Sequence, residues 1–249
     1  MCYIRSAKRA TSLARKAVTE FTALISERNL PTGLVLDIVV VALCSLWKLR
    51  MIRDSKTNIL SDRKLVEPLM LSCILDLSQA LFVTSTNELL EKPEDIQDKE
   101  DLAQYITATF RRILPAIRII SKWLRSNFSY IETVLSPATV LPSLSKSIND
   151  FWKSYVDFLT ILKVIFPAER LPSLEGPLEE DVEMSGFSPI KKSMFNRSAP
   201  TENGLVPGTD KDHPNEEFLM RICDVLMDAN LIVQLEVITL VPFRVGRIG

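Results

Sequence analysis

The stretch DFWKSYVDFLTILKVIFP, Asp150–Pro167, decides the fold class of this chain. Its apolar side chains recur at steps of four, three, four and three residues, which is the repeat of one face of an α-helix. Trp152 and Leu159 widen that face, and Pro167 ends the helix because proline has no N–H to donate. The pattern therefore predicts a buried, aromatic-rich helix. Its repeating residues are Phe151, Tyr155, Phe158, Leu162 and Ile165.

Similar helical periods occur on both sides of this stretch, separated by residues that break helices. The apolar run before Trp47 is too short for a membrane span and carries Asp37, so it is interpreted as a core helix. Its trio Val39–Val41 keeps a strand open as an alternative. The polar stretch Ser85–Lys99 is expected to be a solvated connection. The predicted helices are Tyr3–Arg28, Leu34–Arg53, Asp62–Val83, Lys99–Asn127, Ser143–Phe166 and 214–236.

Composition indicates a globular, well-cored chain. The 249 residues are 47% hydrophobic and 24% charged, and their net charge is −1, so any nucleic-acid surface has to be a local patch. The four cysteines form no C-x-x-C pair. Cys44 and Cys73 lie in apolar helical runs and are expected to be reduced core residues, which favours a reducing compartment.

These observations predict an all-α protein, an irregular stack of antiparallel helical hairpins that resembles an α-solenoid, with one long, partly docked loop. The domain is expected to cover residues 1–195. A mobile linker at 196–213 would lead to the last helix, and an irregular tail at 237–249 would follow it.

Two further blocks carry a resemblance to a known family. One is FRRILPAIRIISKWLRSN, Phe110–Asn127, and the other is the acidic loop LEEDVEMSGFSPI, Leu178–Ile190. Together with the aromatic helix, they resemble the Ever-Shorter-Telomeres/SMG family of telomerase-associated and nonsense-mediated-decay scaffold proteins. The resemblance covers roughly Leu102–Phe195 and, more weakly, Pro214–Gln234.

The resemblance implies a scaffold without a cofactor, located in the nucleus and possibly shuttling to the cytoplasm. Its partners would be RNA or single-stranded DNA, together with decay or telomerase factors. In the family, such a helical block follows a phosphoserine-binding module, and this chain is expected to begin near or after that module. The resemblance also makes the acidic loop a partner-docking segment, through Glu179, Glu180, Asp181, Gly186 and Phe187.

A second stripe on the predicted helix Lys99–Asn127 is basic. The stripe consists of Arg111, Arg118, Lys122 and Arg125, and the predicted buried stripe consists of Ile106, Phe110, Ile113, Ile117, Ile120 and Leu124. At about 100° per residue the two stripes lie roughly 130° apart, so the cations are expected to share an exposed face that tracks a phosphate backbone. A merely solvated helix face is the alternative. A second basic patch lies on the first helix and includes Arg9, Arg15 and Lys16. The candidate nucleic-acid-binding residues are Arg111, Arg112, Arg118, Lys122, Arg125, Lys191 and Lys192.

The sequence carries no phosphate-binding glycine loop and no nucleophile elbow, and His213 has no neighbouring cysteine for a zinc site. We therefore expect no catalysis and no metal. Ser188, followed by Pro189 and two lysines, is a candidate phosphorylation site, although Ser-Pro is also ordinary turn chemistry. A pure protein-interaction module is the main rival function. A membrane-peripheral protein that uses the basic first helix is a third reading.

Overall fold

The computed structural model describes residues 2–27, 31, 33–54, 60–91, 101–134, 142–173, 176–194 and 214–239. Within these ranges the chain is helical and contains no strand, which confirms the all-α prediction. Two 3₁₀ turns, Leu102–Tyr105 and Ala168–Arg170, join the helices. The helices are α1 (Cys2–Ile25), α2 (Leu34–Asp54), α3 (Leu60–Leu90), α4 (Ala108–Val134), α5 (Pro142–Ile165), α6 (Glu179–Glu183) and α7 (Pro214–Thr239).

The long helices form two layers, as in a stack of hairpins. One layer packs α1 on α3 and α3 on α5, and the other packs α2 on α4 and α4 on α7. Within the first layer α3 and α5 run parallel, since Ser72 of α3 meets Ser147 of α5 at 2.7 Å and Phe82 stacks on Phe158 further along. The layers meet where α3 packs on α2 and α4. The helices α3 and α4 run antiparallel, since Tyr130, late in α4, donates to Glu67, early in α3, whereas Thr107, just before α4, donates to Glu88, late in α3.

An aromatic cluster joins the two layers at the core. The ring of Phe82 lies 5.7 Å from Phe151, 5.1 Å from Tyr155 and 5.5 Å from Phe158, while Phe110 of α4 reaches Phe158 at 6.4 Å. All five side chains are buried. The aromatic face predicted from the sequence is therefore the centre of the core.

The helices α3 and α4 differ in extent from the sequence prediction. The helix α3 continues to Leu90, so Ser85 is not in a solvated connection: it is fully buried, and its hydroxyl donates to the Leu81 carbonyl at 2.8 Å. The helix α4 begins later than predicted and continues to Val134. It is kinked at Asn127 (φ −123°, ψ 17°), where the sequence pattern had ended it.

The last helix extends to Thr239, three residues into the predicted irregular tail. The predicted mobile linker at 196–213 and residues 240–249 lie outside the described residues. Cys44 is exposed rather than buried and Cys73 is half-buried, since the exposed stripe of α2 passes through Cys44; both are free thiols.

One helix of the described chain, over Val66–Leu90, is long and apolar enough to cross a bilayer by length and composition. Core helices of globular proteins have the same composition. Here Leu71, Leu81 and Phe82 are fully buried against the neighbouring helices.

Candidate functional site

The predicted exposed cationic strip on α4 is buried at its centre. Arg118 is 0% exposed, and its Nε donates to Asp224 Oδ2 of α7 at 2.6 Å. Its Nη2 donates to both carboxylate oxygens of Asp181 at 2.8 Å, and its Nη1 lies 3.3 Å from Glu180 Oε1. The prediction that Arg118 is solvent-exposed is therefore wrong, because α7 and the acidic loop cover this face of α4.

Lys122 and Arg125 continue the same network along α4. The Nζ of Lys122, which is also buried, lies 2.6 Å from Asp224 Oδ1 and 2.9 Å from Asp228 Oδ2. Arg125 donates through Nη1 to Asp228 Oδ1 at 3.0 Å, and its side chain is 35% exposed. Lys122 is thus not available at the surface, whereas part of Arg125 is.

A fourth cation, Arg221 of α7, completes the buried cluster. It makes a bidentate pair with Glu180, with both N···O distances at 2.9 Å. Asp181 also accepts a hydrogen bond from the Leu178 N–H at 2.9 Å, which caps α6. Four cations therefore face four carboxylates, and the cluster is neutral as a whole. We call it the ionic cluster: Arg118, Lys122, Arg125, Arg221, Glu180, Asp181, Asp224 and Asp228.

Burial and pairing act against each other on these groups. Burial favours the neutral form of Glu180, but the hydrogen bonds and charge of Arg221 and the charge of Arg118 hold its pKa below its usual range. Burial lowers the pKa of Arg118, yet the carboxylates around it, Asp224 first, raise it overall. For Asp228, burial outweighs Lys122 and raises the pKa. Arg118 and Glu180 therefore remain charged at neutral pH, because each has a close partner of opposite sign.

The acidic loop is held inside the domain by the same pairs. Glu180 and Asp181 are buried, so these two residues of the predicted partner-docking loop bind α4 and α7 instead of an external partner. Glu179 and Gly186 are exposed. The sequence pattern predicted no helix in this loop. In the structure, the short helix α6 directs Glu180 toward Arg221 and Asp181 toward Arg118.

Apolar contacts also dock the loop, chiefly through Ile190. Phe187 is only half-buried where it packs on the core, whereas Ile190 is 0% exposed. The adjoining Pro189 is buried, and its carbonyl accepts a hydrogen bond from Asn127 Nδ2 at 3.0 Å. The docked loop is thus confirmed, with Ile190 as its principal apolar anchor.

Four cations, two of them exposed and two half-buried, lie near the kink at Asn127. Asn127 Oδ1 accepts a hydrogen bond from Arg50 Nη1 of α2 at 2.6 Å, and the Arg50 guanidinium lies 3.7 Å from the centre of the Tyr130 ring. The neighbouring Ser126 bonds to Ser193 of the loop, which places Lys191 and Lys192 beside the same segment of α4. Both lysines are exposed. We call this group the basic surface: Arg50, Arg125, Lys191 and Lys192.

The remaining two predicted residues lie elsewhere. Arg111 and Arg112 are half-buried in a cleft near the start of α4, about 20 Å along the helix from Arg125 at 1.5 Å per residue. The seven predicted cations therefore lie in three places, and the four on the predicted strip do not share one exposed face. They form a cleft at one end, a buried cluster in the middle and the basic surface at the other end.

Sequence reasoning did not find Arg221, Asp224 and Asp228, although a signal was present. Charged residues recur on α7 at steps of four, three and four from Glu217, which matches the steps of four and three from Arg118 to Arg125 on α4. Parallel packing of α4 on α7 then places cations opposite acids in register. Within the described ranges, no group of three His, Cys, Asp or Glu side chains is arranged to hold a metal ion.

A family model described as the Est1 DNA/RNA binding domain matches residues 1–194. The matched segment extends from α1 through the docked loop and includes Lys191 and Lys192. A comparison with curated proteins and one with solved structures found no match. Because the family model covers well over half of its length, this chain belongs to the Est1 DNA/RNA binding domain family, as its resemblance to Ever-Shorter-Telomeres and SMG proteins indicated.

Proposed function

We propose that this protein is a non-catalytic scaffold that binds RNA or single-stranded DNA through the basic surface. The observation that carries the proposal is the position of Lys191 and Lys192. Both are exposed, both lie within the segment that matches a DNA/RNA binding domain, and they lie between two anchored residues of the loop. Lysines in such a position are suited to contact phosphates.

Because the loop is anchored, its backbone would lose little conformational entropy on binding a nucleic acid. Ile190 is fully buried and Ser193 bonds to Ser126, so the two lysines lie between fixed points. Beside them, Arg125 is partly exposed although Asp228 neutralises it, and the half-buried guanidinium of Arg50 adds positive charge on α2. Because the side chains are cations without a base-reading motif, recognition would be led by the phosphate backbone and only weakly dependent on sequence.

The proposed cellular role is nonsense-mediated mRNA decay or telomere maintenance, with decay or telomerase factors as protein partners and the nucleus as location, possibly with shuttling to the cytoplasm. This role is supported by the family to which the chain belongs. The scaffold would act by holding a nucleic acid on one face and a protein on another.

The test is a salt series of RNA and single-stranded DNA binding, measured by fluorescence anisotropy. Each single-strand phosphate contact contributes about −0.7 to the slope of log affinity against log salt. Replacing Lys191 and Lys192 with glutamine should weaken binding to unrelated sequences equally and flatten the slope by about 1.4.

The matched control changes Arg9 and Lys16 to glutamine, which removes the same charge from exposed positions on α1, in the first hairpin of the stack. It should leave the slope unchanged. Equal slopes for wild type and the Lys191/Lys192 variant would show that the basic surface is not the interface.

A pure protein-interaction module is the second candidate. The burial of Arg118 and Lys122 favours it, because these two cations of the predicted strip are not accessible to a nucleic acid. Absence of nucleic-acid binding by the wild type at low salt would select this function.

A further inference from the structure

A cleft lies where α2, α4, α6 and α7 meet. Its volume is about 350 Å³, room for a few side chains of a bound segment and not for a folded domain. Leu36 and Pro115 supply apolar walls, and Phe218 supplies an aromatic one. The remaining lining residues are Gly33, Arg111, Arg112, Glu179, Glu180, Glu183, Glu217 and Arg221.

Arg112 differs from the other arginines of α4 in having no internal partner. Its Nη1 is covered by protein atoms and makes no hydrogen bond, and among the described residues no carboxylate forms an ion pair with it. A guanidinium has five donors in a planar fork that matches a carboxylate. Turning this fork toward a ligand would therefore break no existing hydrogen bond and would give an unsatisfied donor a partner.

Arg111 lies beside Arg112, and only some of its guanidinium N–H donors make hydrogen bonds. Its Nε donates to the Ile106 carbonyl at 3.2 Å, and its guanidinium lies 5.5 Å from the centre of the Phe218 ring. By contrast, Arg221, which also lines the cleft, is neutralised by Glu180 at 2.9 Å. Two cations in the cleft are thus available to an incoming anion.

The other lining charges determine which anion can enter. Glu179 and Glu183 are exposed at the cleft and have no ion-pair partner among the described residues, and Glu217 makes only a 3.4 Å contact with Arg221. These three acids would repel a chain of phosphates. A ligand that carries one carboxylate flanked by positive groups would complement both sets of charges.

We propose that this cleft binds a peptide segment of a partner protein, with a Glu or Asp side chain on Arg112 and Arg111 and with basic residues against Glu179 and Glu183. The aliphatic part of the bound side chain would pack on Leu36 and Pro115. The cleft and the basic surface lie about 20 Å apart along α4, so this inference does not depend on nucleic-acid binding.

The experiment uses the full chain and three labelled short peptides, measured by fluorescence anisotropy at low salt. One peptide has a central glutamate flanked by lysines, the second has glutamine at the centre, and the third has a central lysine flanked by glutamates. Wild type should bind the first most tightly. Replacing Arg112 with glutamine should weaken that binding about ten- to a hundredfold, the value of a charge-assisted hydrogen-bonded pair.

A second variant and a control keep the test independent of folding. Changing Glu179 and Glu183 to glutamine alters only exposed side chains, and it should weaken the lysine-flanked peptide and flatten its salt dependence. Arg15→Gln, an exposed arginine on α1, should have no effect. All variants should retain the wild-type circular dichroism spectrum.

Three results would overturn the proposal. They are failure of wild type to bind the glutamate peptide, equal binding of the glutamate and glutamine peptides, and unchanged affinity in Arg112→Gln. Loss of RNA binding in Arg112→Gln, with no effect on the peptide, would instead assign the cleft to the nucleic-acid interface. If the Lys191/Lys192 variant binds RNA with the same salt slope as wild type, that result would overturn the proposed function and leave the peptide proposal intact.

Discussion

Replacing Arg118 with methionine tests the ionic cluster directly. The change keeps most of the side-chain volume but removes the buried charge that pairs with Asp224, Asp181 and Glu180. Asp224 keeps Lys122, whereas Asp181 keeps only the Leu178 N–H. Removing one partner of a buried pair costs about 3–5 kcal/mol, because a charge remains without compensation.

This cost would be a large part of the free energy of unfolding, which is typically about 5–15 kcal/mol for a domain. At about 2–4 °C per kcal/mol for a chain of this size, the Tm should fall by about 6–20 °C. The assay is thermal and urea unfolding followed by circular dichroism at neutral pH. The control is Lys191→Met, an exposed lysine, which should cost less than about 1 kcal/mol.

A double variant isolates the cause. Arg118→Met combined with Asp181→Asn removes the uncompensated carboxylate, while the asparagine oxygen still accepts from Leu178. It should be more stable than Arg118→Met alone, since neutral replacements of buried pairs are often tolerated. The reasoning would be refuted by a cost under about 1 kcal/mol for Arg118→Met, as the exposed strip predicted from sequence requires, or by a double variant no more stable than the single one.

The remaining predictions use the same unfolding assay. Ile190→Ala should cost about 2–5 kcal/mol because the side chain is fully buried; Val182→Ala, at an exposed site of the same loop, should change stability by under about 0.5 kcal/mol, and equal effects would show that the loop is not docked through Ile190. Phe82→Ala should cost about 3–5 kcal/mol, since its ring contacts three aromatic rings of α5; a loss below about 1 kcal/mol would contradict the aromatic core. The pKa of Glu180 is lowered from 4.5, so the stability from its ionised form is present above that pH and lost as pH falls. The free-energy gap between wild type and Glu180→Gln should therefore narrow on acidification below pH 4.5, and a gap constant from neutral to acid pH would refute the assignment.

The sequence by itself determined which segments are helical and which of their faces form the core. Helical period fixes the angle between side chains on one helix, so Phe151, Tyr155, Phe158 and Leu162 had to share a face, and all are buried. The resemblance of two blocks to a known family could also be recognised from the sequence, because it depends only on short contiguous motifs. The family match over residues 1–194 agrees with it.

Only the tertiary structure decided whether the helix faces away from the apolar core are exposed to solvent or covered by another helix. Helical period separates Arg118 and Lys122 from the isoleucines, but it cannot say whether solvent or another helix lies opposite them. Their shared partner on α7, Asp224, is 106 residues from Arg118 and 102 from Lys122 in sequence, and they meet because helix stacking sets α7 parallel to α4. The kink at Asn127, the inward turn of α6 and the exposure of Lys191 and Lys192 follow from the same packing, since each depends on contacts between segments distant in the chain.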